Sequence, residues 1–141
     1  MSVHGHLPPV SSDERLARFV TVEKWLRADK TVRQDAFIPP KDLNLSVTRH
    51  LRLSQEQLWQ IGQAVVDGLS AKHHATLFGR ADLTVAAVTK TALRVDPAPI
   101  LANPQHTHIT GWPLDKPAQK NIAQQLAAAA SFTPNPAASQ R

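Results

Sequence analysis

Two histidines lie in a stretch of the chain that alternates like a β-strand, and their chemistry suits proton transfer or metal binding. In the segment HTHITGW, His106, His108 and Thr110 would share one face of a strand, because successive side chains point to opposite faces. Neighbouring imidazoles can exchange protons near neutral pH or ligate a metal ion. Residues 103–132 are therefore the most informative stretch, and we expect function at a surface formed by residues 103–117 and neighbouring basic residues.

A metal site at this face would need further ligands. His73 and His74 are one source, and the carboxylate of Asp82 or Asp115 is another. The chain has no HExxH motif, and paired histidines on a sheet face are more often ordinary surface residues. We therefore predict no metal and no cofactor.

Two His-x-Thr units provide an enzymatic alternative. The units His74-Ala75-Thr76 and His108-Ile109-Thr110 resemble the paired motifs of the 2H phosphoesterases. That resemblance implies that each histidine acts as acid or base and that each hydroxyl binds phosphate. The two units lie much closer together than in that family, and Gly111 follows the second unit where that family has an apolar residue. The alternative is a small phosphodiesterase or RNA-processing enzyme that uses His108 together with either His74 or His106.

Basic residues suggest a third possibility, recognition of phosphate. A helix N-terminus flanked by lysines is a natural phosphate contact. The competing interpretation is that Arg80 pairs with Asp82 or caps a turn, and that the lysines are simply solvated. The candidates near strand ends, turns and the last helix are Arg49, His50, Arg52, Arg80, Lys116 and Lys120.

The composition limits the class of protein. The chain has 141 residues, which suits one domain with a real core. It has no cysteine, which excludes disulfides and thiolate sites. No apolar run is long enough for a membrane span, and the N-terminus lacks signal-peptide features, so we expect a cytoplasmic protein with no membrane partner. Lys and Arg total 16 against 11 acidic residues, and they are spread along the chain, so a protein partner ranks slightly ahead of nucleic acid.

Two amphipathic helices can be predicted from their caps and apolar spacing. In the first, Ser54 and Gln57 form a capping box, and the helix should end near Asp67-Gly68. Its apolar stripe is Leu58, Ile61 and Val65, widened by Trp59 and Val66.

The second helix should begin after the N-cap Asp115 and end near Phe132. Its predicted stripe recurs every four residues, which gives one narrow apolar face rich in alanine. The stripe is Ala118, Ile122, Leu126 and Ala130.

Alternating polarity predicts the strands. They are expected at about 18–26, 43–50, 75–78, 82–89, 92–96 and 106–110. We expect a flexible arm at 1–11, one globular domain at 12–132 and a disordered tail at 133–141. The fold class is α+β, a largely antiparallel sheet with two amphipathic helices packed on one face.

Two segments, GRADLTVAAV and NPQHTHITGWPLDKPAQKNIA, carry a resemblance to a group of small uncharacterised bacterial proteins. The resemblance implies a bacterial, cytoplasmic protein of one compact domain. It carries no activity across, but it suggests the mobile-element or defence gene clusters in which such small proteins occur.

The leading interpretation is a non-enzymatic binding or accessory protein, because no pair of groups has the spacing that a reaction demands. It would contact a protein or a nucleic acid, and a homo-oligomer is compatible with the sequence. Trp112 fits core or edge packing better than it fits a platform for stacking bases, although it is kept among the contact residues. The predicted contact residues are Arg49, Arg80, His106, Thr110, Trp112, Lys116 and Lys120.

Overall fold

One antiparallel sheet organises the chain. The computed structural model describes residues 9–70 and 75–137, and within them the sheet has six strands. In chain order the strands are β1 (Arg15–Val20), β2 (Leu45–Arg49), β3 (Gly79–Thr84), β4 (Arg94–Pro97), β5 (His106–Thr110) and β6 (Ser131–Pro134). The helices are α1 (Gln55–Ser70), α2 (Val85–Thr89) and α3 (Lys116–Ala129), with 3-10 turns at Glu23–Trp25 and Gln34–Phe37. The spatial order of the strands is β4-β5-β2-β1-β3-β6.

The α+β class with an antiparallel sheet is confirmed, but the two long helices lie on opposite faces of the sheet. Leu16 and Val20 of β1 belong to a core that includes Leu126 of α3. Phe19, which points the other way, packs in a second core with Leu58 of α1. An apolar stripe shows that a helix covers a sheet, but it carries no information on which face the crossover places it.

Helix α1 begins with the predicted capping box. The backbone N–H of Ser54 donates to Oε1 of Gln57 (2.8 Å), and the N–H of Gln57 donates to Oγ of Ser54 (3.1 Å). The helix continues to Ser70, past the end expected at Asp67-Gly68. A glycine lowers helix propensity but does not stop a helix that packing holds.

The buried stripe of α1 differs from the predicted one. Leu58, Gly62 and Val66 face the sheet, whereas Val65 is 41% exposed and Ile61 is only partly buried. Gly62 sits at the closest approach, since a Cβ added there would lie 2.7 Å from Cε1 of Phe19. The glycine thus lets α1 pack close to the sheet and turns Ile61 and Val65 to one side.

Replacing this glycine tests the close approach. We expect Gly62→Ala to destabilise the protein by about 1–3 kcal/mol, because the new methyl group overpacks against Phe19. Gly68→Ala is the matched control in the same helix, since nothing lies within 4 Å of its added Cβ. It should be neutral or stabilising by up to about 1 kcal/mol through helix propensity. Urea unfolding measures both, and equal effects would contradict the packing account.

Helix α3 is also capped as predicted, with Oδ2 of Asp115 accepting from the N–H of Ala118 (2.9 Å). Its buried positions are Gln119, Ala123 and Leu126. Of the predicted stripe, Leu126 is therefore confirmed as buried, while Ile122 and Ala130 are partly buried and pack against the core. The polar Gln119 is tolerated inside because its Nε2 donates to the carbonyl of Pro113 (2.7 Å). A buried helix face that is predicted from apolar residues alone does not include a polar residue such as Gln119.

The segment after α1 was predicted as strands at 75–78, 82–89 and 92–96. The third prediction agrees with β4, but residues 75–78 lie outside the ladder, β3 spans Gly79–Thr84, and α2 follows it directly. The Oγ1 of Thr84 accepts from the N–H of Ala87 (3.2 Å), so it caps α2 and ends the strand. A short apolar run such as VAAV is compatible with a strand or a helix, and here the N-cap at Thr84 favours the helix.

Both ends of the predicted domain need correction. The tail expected from residue 133 still forms β6 through Pro134, and the Nδ2 of Asn135 donates to the carbonyl of Leu77 (3.1 Å). Val10, predicted to lie in the flexible arm, packs against the larger core. Residues 1–8 and 138–141 of the predicted arm and tail lie outside the described residues.

The first strand is also shifted from its predicted position. It was expected from Arg18 to about Leu26, but β1 spans Arg15–Val20 and a 3-10 turn follows at Glu23–Trp25. The alternation of polar and apolar residues continues through TVEKWL, but the chain leaves the sheet before this segment.

Among the described residues, no helix combines the length and the apolar character needed to cross a membrane.

Candidate functional site

In the described part of the chain, helix α1 covers only part of one face of the sheet, and the rest of that face is open. On this face α1 packs over Ala17 and Phe19 of β1. The neighbouring strands β2 and β5 place Ser46 opposite His108 and Thr48 opposite His106 on the same face. The predicted alternation of β5 is confirmed, because residues 106, 108 and 110 are partly buried while residues 107 and 109 are fully buried.

A groove of about 540 Å³ runs beside α1 over this floor. Helix α1 forms one wall, and the loop 98–105 forms the other. Arg18 and residues 21–25 lie at one end, and the floor comes from β2 and β5. The side chains that the argument uses are Arg18, Trp25, Ser46, Ala64, Val65, Ile100 and His106.

The rims of the groove carry exposed aliphatic side chains. Val22 is 37% exposed, Val65 is 41% exposed and Ile100 is 49% exposed, and all three line the groove. Leu101, next to Ile100 in the loop, is fully exposed. A clustered apolar surface of this kind marks interaction sites, whereas isolated exposed aliphatics do not.

The loop wall is fixed by hydrogen bonds. Nδ2 of Asn103 donates to Oγ1 of Thr48 on the floor (2.9 Å), and both groups are buried. The N–H of Arg49 donates to the carbonyl of Gln105 (3.0 Å), and Ile100 and Asn103 exchange backbone bonds. The proline-containing loop is therefore tied to the sheet, and the groove exists before anything binds in it.

Arg18 occupies the point where β1 and β2 separate. The two strands pair only at Leu16–Arg49 and Ala17–Thr48. Beyond that point, Nε of Arg18 donates to the carbonyl of Ala36 (2.8 Å) and Nη1 donates to the carbonyl of Ser46 (3.1 Å). Its guanidinium lies 5.3 Å from the ring centre of Trp25. These contacts hold a cation at the level of the groove floor.

The charge of Arg18 has no carboxylate partner among the described residues. Burial lowers the pKa of its guanidinium to about 10, which still leaves the group protonated at neutral pH. No Asp or Glu lines the groove in the described ranges. The groove thus combines aliphatic walls with one uncompensated positive charge.

His106 contributes a ring nitrogen of defined role. Its Nδ1 lies 2.9 Å from the carbonyl of Ala98, and a carbonyl can only accept, so Nδ1 carries a hydrogen. In the neutral ring Nε2 then has the free lone pair. The ring of His108 lies edge-on to it, with ring centres 4.9 Å apart.

His108 titrates under the influence of this neighbour. Desolvation by burial, and then the charge of His106, lower the pKa of His108 below its ordinary value, although Asp42 and Asp96 oppose the shift. Both effects favour the neutral form of the His108 ring.

Two of the predicted basic contacts are inside the protein. Arg49 is fully buried, and it forms a two-point ion pair with Glu14 in which Nη2 lies 3.0 Å from Oε2. Arg80 is 5% exposed. Its Nε lies 3.0 Å from Oδ2 of Asp82, and its guanidinium lies 4.7 Å from the ring centre of Trp59. The pairing of Arg80 with Asp82 is the competing interpretation given above.

The remaining predicted contacts are divided between core and surface. Trp112 is 6% exposed and donates from Nε1 to the carbonyl of Ile109 (3.0 Å). The hydroxyl of Thr110 donates to Oδ2 of Asp96 (2.6 Å). Lys116 and Lys120 are exposed on the first turns of α3, in a separate depression shared with Asp35. Of the seven, only His106 lines the groove.

The enzymatic and metal alternatives involve His73 and His74, which lie outside the described residues. The described residues contain no group of three or more His, Asp or Glu side chains that could hold a metal ion. Asp82 instead binds Arg80 and lies 3.1 Å from Nε2 of His50, and Asp115 caps α3. The phosphodiesterase alternative stays a prediction.

Sequence reasoning missed Arg18 and the apolar rims. One signal was present, because Arg18 lies between Leu16 and Val20, two residues whose side chains point into the core. A charge at an inward position of a strand needs a partner or a function. Ile100 and Val65 carried no such signal.

Comparisons with family models, with curated proteins and with solved structures found no match.

A titration tests the histidine pair. We expect His108 to titrate below the ordinary histidine range, and His106→Gln to raise its pKa, because that change removes the neighbouring charge while desolvation remains. Histidine ring signals followed by NMR across pH 4–8 measure both values. An unchanged or lowered pKa of His108 in the variant would contradict the geometry.

Proposed function

We propose that this protein is a non-enzymatic binding module that holds a segment of a protein partner in the groove between α1 and the loop 98–105. The observation that carries the proposal is the cluster of exposed aliphatics, Val22, Val65 and Ile100, around a fixed groove. Leaving these side chains in water is unfavourable, and a partner that covers them removes that cost.

The composition of the groove favours protein over nucleic acid. Nucleic-acid sites combine several phosphate-binding cations with exposed aromatic rings. Here Arg49 and Arg80 are engaged in internal ion pairs, and the walls are mainly aliphatic.

The extent of the apolar surface favours a protein over a small molecule. A volume of about 540 Å³ would also suit a small ligand. However, Leu101 is fully exposed beside the rim, so the apolar surface continues outside the groove. A macromolecular partner covers both the groove and this loop.

Filling the groove tests the proposal. Peptides selected from a displayed random library on the intact protein should bind it with micromolar Kd, and Ala64→Trp should weaken that binding at least tenfold. Ala64 is exposed and lines the groove, so the larger ring occupies the groove without entering the core. Fluorescence polarisation with the selected peptides measures the effect.

The matched control is Ala128→Trp, an exposed alanine on α3 at the opposite face of the sheet. It should bind the peptides as the original protein does. Equal binding by Ala64→Trp would move the site elsewhere. Failure to select any peptide, with oligonucleotide binding that weakens steeply as salt rises, would replace the proposal by nucleic-acid recognition.

A further inference from the structure

We infer that the partner segment carries an acidic side chain, flanked by aliphatic residues, whose carboxylate pairs with Arg18 in the groove. This inference rests on the proposed function and specifies the chemistry of the partner. Charge complementarity carries it, since the groove presents one cation and, in the described ranges, no carboxylate.

The position of Arg18 makes it a recognition element. A guanidinium has five N–H donors, and in the described residues only Nε and Nη1 of Arg18 donate hydrogen bonds, each to a backbone carbonyl. Carbonyl acceptors orient the group without neutralising it. Nη2 therefore keeps its donors for an incoming acceptor.

The environment of Arg18 strengthens an ion pair between its guanidinium and a partner carboxylate. The side chain is partly buried, and the aliphatic walls and the ring of Trp25 displace water around it. Electrostatic attraction is stronger in such a setting than on an open surface, and an arginine–carboxylate pair can form two parallel hydrogen bonds. The orientation fixed by Ala36 and Ser46 reduces the entropy cost of forming them.

The depth of Arg18 favours an acidic side chain over a chain terminus. Its Nη1 is bonded to the main chain of Ser46, so the guanidinium lies at the level of strand β2. A partner backbone held between the exposed rims of Val65 and Ile100 lies above that level. A glutamate or aspartate side chain can extend downward from such a backbone to reach the cation.

Peptide selection with defined variants tests the inference. A displayed random dodecamer library selected on the intact protein should enrich aliphatic residues around one Asp or Glu position. Selection on Arg18→Gln should retain the aliphatic preference and lose the acidic one. Arg94→Gln, which removes an exposed cation that does not line the groove, should leave both preferences unchanged.

A double-mutant cycle then isolates the pair. With one enriched synthetic peptide, changing its acidic residue to the amide should weaken binding about tenfold on the original protein and have no effect on Arg18→Gln. Arg18→Lys should show an intermediate loss, because it keeps the charge without the planar fork. The peptide change alone already tests the pair if an arginine variant fails to fold.

The other outcomes separate the two proposals. Aliphatic peptides that bind, are blocked by Ala64→Trp and show no acidic preference would overturn the inference and leave the proposed function standing. A preference that follows a free C-terminal carboxylate over its amidated form, with no need for an acidic side chain, would also overturn it. No selectable peptide at all would overturn both.

Discussion

The separation of β1 from β2 is the constraint from which the rest of this structure follows. The two central strands pair at only two positions, and the side chain of Arg18 then occupies the space between them. The backbone carbonyl of Ala36, in a 3-10 turn, and that of Ser46, in β2, both accept hydrogen bonds from this one guanidinium. The divergence gives the groove its end, and it places a cation at the level of the sheet.

The positively charged side chains of this protein occupy two kinds of environment: some form internal ion pairs, and others do not. Arg49 and Arg80 pair with Glu14 and Asp82, and this burial is tolerated because each charge has a partner and further contacts. Arg18 is partly buried, and in the described part of the chain its guanidinium contacts two backbone carbonyls and the ring of Trp25 but no carboxylate. A net charge of +5 therefore says little about the partner, because the residues that contribute to it occupy very different environments.

The features that the sequence predicted correctly are those that depend on residues close together in the chain. The capping box at Ser54, the N-cap at Asp115 and the strand at His106–Thr110 all appear, because each depends on neighbouring residues. The faces of the helices, the pairing of β6 and the position of Arg18 depend on how distant strands are ordered, which no short pattern records. The groove was missed for the same reason, since its walls come from segments far apart in sequence.

The most direct test of the account is methyl NMR of the isotope-labelled protein, titrated with a peptide selected on it. The largest shifts should fall on the methyl groups of Ile61, Val65 and Ile100, with little change at Val85 and Leu93 in the opposite core. Shifts confined to other surfaces, such as the exposed first turns of α3 near Lys116, would contradict a binding role for the groove.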